Sequence, residues 1–463
     1  MSVTHAPFRY DLAIIGAGSG GMAAARRAAA AGQRVIIFED QAIGGTCVNR
    51  GCVPKKLLVH ASRGADSVNE LPGLGWEIRC EGLDWGKLQQ SVTTKVTELS
   101  GFHARRLEKL GIETVCERAR LAGPNSVAVS DRSYDADQIL IATGASPVVP
   151  KFSGSEHCLV SDDIFKLKEL PRSLAIVGGG YIAVEFACML RRFGVDVTIF
   201  ERGDRLIAPF DPEIADLLLS SLINQGIGVV LGSNVEEIIQ HDADEYSLRG
   251  PTAEQDQRFG AVLMAVGRRP NSTSLGLDQV GIATGAKGAI PVDRFGRTSS
   301  AAIFAIGDVT ETLALTPVAV REGRRVIDVM MQKDSPLPPP VNVPTAAFTT
   351  PECAMVGMTE AEAQAANLDY KIRRTTFQPL AALLGEGTDE VFMKALVESE
   401  TGQMLGFHFF GPHASEASQM GAIALSAGLS EEQLHHTMAL HPTTAEEVLG
   451  LGRRDEPLHQ KEV

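Results

Sequence analysis

Two cysteines stand five residues apart in Gly44-Gly45-Thr46-Cys47-Val48-Asn49-Arg50-Gly51-Cys52-Val53-Pro54-Lys55-Lys56. On an ideal helix that spacing separates the thiols by about 140°. They can meet only where the helix entry is distorted, and Gly51 permits such distortion. Pro54 suits the first turn of a following helix. A helix N-terminus lowers a thiol's pKa and favours the thiolate, the nucleophile of disulfide exchange. The pair therefore reads as a redox-active dithiol. Two unpaired thiols, or a structural clip, would also fit these residues.

Disulfide exchange needs a group that protonates the departing thiolate, and histidine suits this near neutral pH. His441, in His441-Pro442-Thr443-Thr444-Ala445-Glu446-Glu447, is a candidate, with Glu446 placed to orient its ring. Glu185 sits in the otherwise apolar Tyr181-to-Ala187 stretch. If buried it wants a cationic partner, for which Lys56 is a candidate; if exposed it is an ordinary glutamate on a two-faced helix. The remaining cysteines, Cys80, Cys116, Cys158, Cys188 and Cys353, are isolated and read mostly as small buried hydrophobes. No CxxC or HxxxH spacing occurs, so zinc is not expected.

One unit that could position this chemistry occurs twice. Asp11 to Ile15 is an apolar run, followed by Gly16-Ala17-Gly18-Ser19-Gly20-Gly21, an alanine-rich segment to Ala31, a second apolar run from Arg34 to Phe38, and Glu39. This reads strand, glycine turn, helix, strand, acid. Gly16 allows the tight turn, Gly18 lets a pyrophosphate approach the backbone, and Gly21 lets helix and strand pack closely. The free N–H groups of the helix face the phosphates, and Glu39 would accept bonds from ribose hydroxyls. The second copy runs Leu174 to Val177, Gly178-Gly179-Gly180-Tyr181-Ile182-Ala183, a helical stretch to Phe193, a strand from Val195 to Phe200, and Glu201. Each acid lies 23 residues after the first glycine of its copy. Two dinucleotide sites suggest a bound flavin and a diffusing nicotinamide. Gln138 to Thr143 before Gly144, and Ala302 to Ile306 before Gly307-Asp308, read as further strands ending at glycines, with Asp308 placed to bind a polyol hydroxyl.

Boundaries are expected at Pro147 and Pro150, at Gly267-Arg268-Arg269-Pro270-Asn271, and at the stiff stretch Ser335-Pro336-Leu337-Pro338-Pro339-Pro340. From Val341 on, strands are expected at Thr345 to Thr349, Phe392 to Glu398 and Gly406 to Phe410. A helix is expected from Ala414 to Ala427, and a loose polar tail from Arg453.

A chain of 463 residues with 44% hydrophobic and 22% charged residues is an ordinary globular one, long enough for about three domains. Its net charge of −14 disfavours nucleic acid and anionic membranes as partners. No stretch approaches the roughly 20 apolar residues of a membrane span. The N-terminus does not look like a secretory signal, and the scattered cysteines suit a reducing cytosol, so a cytoplasmic location is expected.

The segment Gly44 to Lys56 closely resembles the redox motif of the flavoprotein disulfide reductases, class I. Its Val53-Pro54-Lys55-Lys56 ending resembles the branch that reduces glutathione disulfide. Both nucleotide units, Ala142-Thr143-Gly144, Gly307-Asp308, Thr316-Pro317 and the His441-to-Glu446 motif extend the likeness over nearly the whole chain. The resemblance implies an α/β fold: two Rossmann-like dinucleotide-binding domains plus a C-terminal α+β dimerisation domain. Residues 1–146 would begin the FAD domain, 147–270 would bind NAD(P)H, 271–340 would complete the FAD site, and 341–463 would form the interface. Gly16, Gly18, Ser19, Gly21, Glu39, Gly45, Thr46, Thr143, Gly144 and Asp308 would hold FAD. Gly178, Gly180, Tyr181, Ala183, Glu201, Arg202 and Gly267 would hold the nicotinamide nucleotide. Cys52 would lie beside the flavin in a charge-transfer complex, and Cys47 would exchange with substrate. Lys56 and Glu185 would pair near flavin N5, and Tyr181 would cover the nicotinamide pocket. His441, oriented by Glu446, would act across the interface of a homodimer with shared active sites.

Ser19, Ala23 and Arg26 resemble the pattern of the glutathione branch, whereas trypanothione reductases carry glutamate and tryptophan at the last two positions. Arg324 matches a second arginine of that branch, and two guanidiniums suit a disulfide bearing four carboxylates. The absence of a Cys-Cys or Cys-selenocysteine tail argues against mercuric and large thioredoxin reductases. Two departures stand out. His103 aligns where many members of the branch have tyrosine. At the nucleotide site Arg202 matches one of the two arginines that hold a 2′-phosphate, but Ala208 stands at the other, and Glu201 suits a free 2′-hydroxyl. Ala183, in place of a third glycine, points the other way. The balance leans to NADH or dual use over strict NADPH. A related disulfide (glutathione amide or a glutamylcysteine conjugate) and a flavin-bearing redox sensor that does not turn over are the rival readings.

Overall fold

The computed structural model describes residues 9–251, 257–333, 338, 340–384 and 390–451. The proline stretch therefore lies mostly outside the described residues, and the polar tail wholly so.

Both expected strand–glycine–helix–strand units are present. In the first, strand Arg9–Ile15 pairs in parallel with Val35–Phe38 and with Arg132–Ile141. Ile303–Ala305 joins the same sheet beside Arg132–Ile141, so a segment late in the chain completes the first unit. In the second, Ser173–Val177 lies between Asp196–Glu201 and Ala261–Met264, again in parallel. Both sets of central strands are buried, as their unbroken apolar runs require. The third region is an antiparallel sheet in the order Thr345–Ala347, Glu352–Gly357, Met404–Gly411, Val391–Glu398, Tyr370–Phe377. Helix Ala414–Ser426 packs on it, burying Ala414, Ala422 and Leu425 with Phe407 and Phe409. Within the described residues this is the α/β architecture expected.

The chain crosses between the first two units along paired paths. Ala145–Pro147 leaves and Arg268–Pro270 returns as a two-stranded antiparallel ribbon. Thr143 Oγ1 donates to the Asn271 carbonyl at 2.8 Å, and Asn271 Nδ2 donates back to the Thr143 carbonyl at 2.9 Å. Second and third regions are joined by a buried cation. Lys394 Nζ, on the third sheet, donates to both oxygens of buried Asp211, at 3.0 and 2.9 Å, and to Glu213 and Glu360. These three carboxylates are grouped closely enough to ligate a metal, but the ammonium already sits among them, and Arg374 pairs with Glu213 and Glu360 as well.

Helix Ser19–Ala30 lies against helix Thr316–Met330 at unusually short range. A Cβ on Gly323 would come within 2.3 Å of the Gly20 carbonyl oxygen. Small residues at this crossing let the helices start side by side at the cysteines. Buried Asp328 secures their far ends, accepting from Arg27 at 2.6 Å and Lys333 at 2.9 Å. Among the described residues no helix is long and apolar enough to cross a membrane. We expect Gly323→Ala to force the helices apart and to cost about 1–3 kcal/mol, as overpacking does; an unchanged thermal midpoint would contradict that packing.

Candidate active site

The two glycine turns share one geometry. Gly16 and Gly178 have φ of 107° and 113°, and a Cβ on either would lie 2.4 or 2.5 Å from a carbonyl oxygen of the neighbouring strand end, Ala142 or Ala265. Gly18 and Gly180 cap the following helices and face open space: the first has no neighbour nearer than 3.9 Å, the second none within 4 Å. Each turn thus leaves helix N–H groups bare where a pyrophosphate would lie. Gly21 would place a Cβ 2.0 Å from the Gly16 carbonyl, whereas the second copy accommodates the buried Ala183. Both acids close their turns. Glu39 Oε2 accepts from Ala17 N at 2.8 Å, and burial raises its pKa. Glu201 Oε1 accepts from Gly203 N at 2.6 Å, while its side chain lies against Gly179. These residues fit two dinucleotides.

The dithiol segment is fastened to the first turn. Gly44 N donates to the Ala17 carbonyl at 2.9 Å, and a Cβ on Gly45 would meet Gly18 Cα at 2.7 Å. A short helix, Gly45–Asn49, carries Thr46 and Cys47; helix Cys52–Glu70 starts at Cys52, with Pro54 in its first turn. Between them Gly51, at φ −148° and ψ −118°, supplies the expected distortion and packs its open face on Thr46. The thiols are thereby brought together within hydrogen-bond reach of each other.

Their acidities are driven apart. Cys47 donates to the Cys52 sulfur, which raises the Cys47 pKa, reinforced by burial, and lowers that of Cys52 to about 6. Thr316 Oγ1, 3.6 Å from Cys52 Sγ, and the Lys55 charge lower it further, against burial and the Glu185 charge. Ser19 and Thr316 both hydrogen-bond Cys47. Near neutral pH the pair is a Cys52 thiolate and a Cys47 thiol. Because the folded pKa of Cys52 lies below its ordinary value of 9.0, this interaction stabilises the fold fully above pH ~9 and is lost as pH falls through about 6.

The expected pairing of Lys56 with Glu185 is corrected. Glu185 is buried, and the lysine that reaches it is Lys55, whose Nζ donates to Oε1 at 2.8 Å. Phe348 N donates to the same oxygen at 2.8 Å. Lys56 instead points toward Glu352, at 3.9 Å. Consecutive helical residues point about 100° apart, so only one of the two lysines can face the Glu185 helix. Both ammoniums lie over the Phe348 ring, 4.0 and 3.7 Å from its centre. Glu352, buried, also accepts from Arg63 at 2.5 Å and from Ser415. Lys55 and Phe348 are site residues to which the sequence reading gave no role, and Thr316 entered it only as part of a motif.

Tyr181 starts the second-unit helix, on the face of Glu185 one turn later. The charges of Asp308, Arg268, Glu185 and Cys52 all act on its hydroxyl, whose pKa is raised mainly by burial. It therefore stands between the nucleotide turn of the second unit and the thiols of the first. Asp308, in a short turn after Ile303–Ala305, has a pKa raised by burial and opposed by Arg268. Gly144 and Gly267, at φ 67° and 130°, flank the crossing ribbon. Arg202, next to Glu201 in the chain, and Ala208 are both exposed.

Arg26 and Arg324 line one cavity on the first unit, and His103 lies near enough for the Arg26 charge to act on it. His441 does not join the thiols within one chain. It is 82% exposed, and its Nδ1 lies 3.1 Å from Glu446 Oε1. A carboxylate accepts only, so Nδ1 carries the proton and Nε2 is left to act on an outside group. The isolated cysteines are less uniform than expected. Cys188 and Cys353 are buried, Cys158 is half-buried, and Cys80 and Cys116 are exposed on polar stretches.

Residues 10–323 match the family model of pyridine nucleotide-disulphide oxidoreductases, and residues 343–450 match that family's dimerisation domain. The chain belongs to this family of flavoenzymes, an oxidoreductase served by FAD and a pyridine nucleotide. It is 38% identical to the glutathione reductase of Burkholderia cepacia over 96% of this chain and 99% of the relative. It is equally similar, at 38%, to that of Nostoc sp. over 95% and 98% of the two chains. The chloroplastic/mitochondrial glutathione reductase of Pisum sativum is 35% identical over 95% of this chain and 82% of its own.

Replacing one partner of a buried ion pair strands the other. Lys55→Met is expected to destabilise the fold by about 3–5 kcal/mol. Lys56→Met, which breaks a longer and more exposed contact, should cost about 1 kcal/mol or less. Denaturant unfolding of both variants checks this, and equal losses would refute the assignment.

Proposed function

We propose that this chain is a homodimeric, FAD-dependent reductase of glutathione disulfide, drawing electrons from NADH or NADPH. The observation that carries the reading is the split acidity of Cys47 and Cys52, set between the two dinucleotide turns. The names of the relatives, and Arg26 and Arg324 beyond the thiols, support the substrate.

Bound FAD would supply a two-electron relay between nicotinamide and the cysteine disulfide. Gly16, Gly18, Ser19, Gly21, Glu39, Gly45, Thr46, Thr143, Gly144 and Asp308 would hold it, and Lys55 with Glu185 would replace the expected Lys56 pair beside it. Gly178, Gly180, Ala183, Glu201, Arg202 and Gly267 would hold the nucleotide, with Tyr181 as its gate.

In the reduced enzyme Cys47 gives its proton to His441 Nε2 and attacks one sulfur of the substrate. The substrate S–S bond breaks, a Cys47–glutathione disulfide forms, and the imidazolium protonates the first departing thiolate. The Cys52 thiolate then attacks Cys47 Sγ, restoring the cysteine disulfide and releasing the second glutathione, which takes up a proton from water. Two electrons and two protons are consumed for each substrate.

His441 would come from the partner subunit. Its ring is exposed, and among the described residues no hydrogen bond joins it to either thiol of its own chain. Met438 and Leu440, just before it, are 90% and 74% exposed, which suits an apolar face covered by a second copy. His441→Gln is expected to slow glutathione disulfide reduction by a factor of about 10² to 10⁴. Dimers combining a His441→Gln chain with a Cys47→Ser chain should recover activity through their one intact composite site, and failure to recover would contradict sharing.

At the nucleotide turn a 2′-phosphate would meet the Glu201 carboxylate, with Arg202 as counterweight and Ala208 where a second arginine could stand. We expect NADH to be used at least as well as NADPH, and Glu201→Gln to shift the kcat/KM ratio toward NADPH by about tenfold, the effect of roughly 1.4 kcal/mol. Strict NADPH dependence of the native enzyme would overturn this part.

A further inference from the structure

We infer that Arg106 is a third carboxylate-binding arginine of the disulfide site and sets its preference for anionic substrates; this rests on the glutathione reading above. Three helices carry the argument. Helix Ser19–Ala30 begins at Ser19, which touches Cys47, and presents Ala23 and Arg26 on the same face at i+4 and i+7. Helix Thr316–Met330 begins at Thr316, which touches both cysteines, and reaches Arg324 two turns later. At about 1.5 Å per residue, both arginines stand some 10–12 Å along their helices from the sulfurs. That is within reach of the carboxylate ends of a tripeptide bound by its sulfur. Helix Trp85–Lys109 closes the third side, with His103 and Arg106 one turn apart.

Arg26, Arg106 and Arg324 line one cavity of about 480 Å³. Arg27 and Lys333 also reach it, but both are tied to Asp328. Among the described residues no carboxylate pairs with the other three. Their mutual repulsion, after burial, lowers the Arg26 pKa, and burial with the charges of Arg26 and Arg106 lowers that of His103. His103 is thus biased toward its neutral form, and its buried Nδ1 has no hydrogen-bond partner among the described residues. In a chain of net charge −14, three guanidiniums around one cavity with no carboxylate partner among the described residues make a local positive field that attracts an anion. Two of them would match one half of the substrate disulfide. The third adds either a second contact to that half or one to the other half, and in both cases rewards charge.

The test is steady-state reduction of glutathione disulfide by the holoenzyme, with Arg106→Gln and Arg106→Lys beside the wild type, at low and high salt. Arg106 is exposed, so the variants should fold. Arg106→Gln is expected to raise KM about tenfold, leave kcat within about twofold, and flatten the salt dependence of KM. Arg106→Lys should recover part of the loss, and KM for the nucleotide should not move. A KM for the disulfide unchanged in Arg106→Gln, with an active wild type, overturns the role of Arg106 alone. A wild type that passes electrons from nucleotide to a dye but not to glutathione disulfide overturns the substrate reading and this inference with it.

Discussion

The carboxylate of Glu185 is the point on which the site depends. It comes from the second unit, accepts from Lys55 of the first, and accepts from the backbone of Phe348 in the third. A buried carboxylate without a cation is costly enough to oblige this meeting. Lys55 is held three residues beyond Cys52 on one helix, so the cation that neutralises Glu185 also favours the Cys52 thiolate, beside the larger effect of the Cys47 hydrogen bond and against the Glu185 charge. Domain docking therefore fixes one of the charges that act on the thiolate. The Phe348 ring, with both lysines above it, shields that contact from water.

Around this point the backbone does the remaining positioning. Close approach at Gly18 and Gly45 places the dithiol segment on the edge of the first nucleotide turn, and close approach at Gly20 and Gly323 aligns two helices that both begin at the thiols. Side chains at these places would push the cysteines away from the turn by ångströms, and thiol exchange tolerates little such displacement. The Lys394 cluster plays the corresponding part farther out, joining the second unit to the third sheet with a buried ammonium and three acids.

Much of this was legible in the residues. The twin glycine turns, their strands and their acids follow from short-range rules of backbone sterics, and the structure has them where the pattern places them. The distortion at Gly51 was legible for the same reason. The choice between Lys55 and Lys56 was not, because both follow Cys52 by about one turn and the decision rests with partners hundreds of residues away. Helix Trp85–Lys109 carries few apolar residues, and only Trp85, Val92 and Leu107 are buried along it, so its pattern is faint. Strand Tyr370–Phe377 is a sheet edge whose Arg373 and Arg374 are satisfied by Glu431 and Glu213, and these charges interrupt its aromatic and β-branched residues. Contacts that depend on tertiary pairing of charges were the ones hidden.

The measurement that bears most directly on this account is the pH titration of thiolate absorbance in the reduced protein, compared between the native chain, Cys47→Ser and Cys52→Ser. One thiolate should appear with a midpoint near pH 6 in the native chain and vanish in Cys52→Ser. In Cys47→Ser, whose hydroxyl can still donate to Cys52, it should remain. If the low-pH thiolate survives in Cys52→Ser and is lost in Cys47→Ser, the two cysteines have exchanged roles, and the account built on the Cys47 hydrogen bond, Thr316 and Lys55 is wrong.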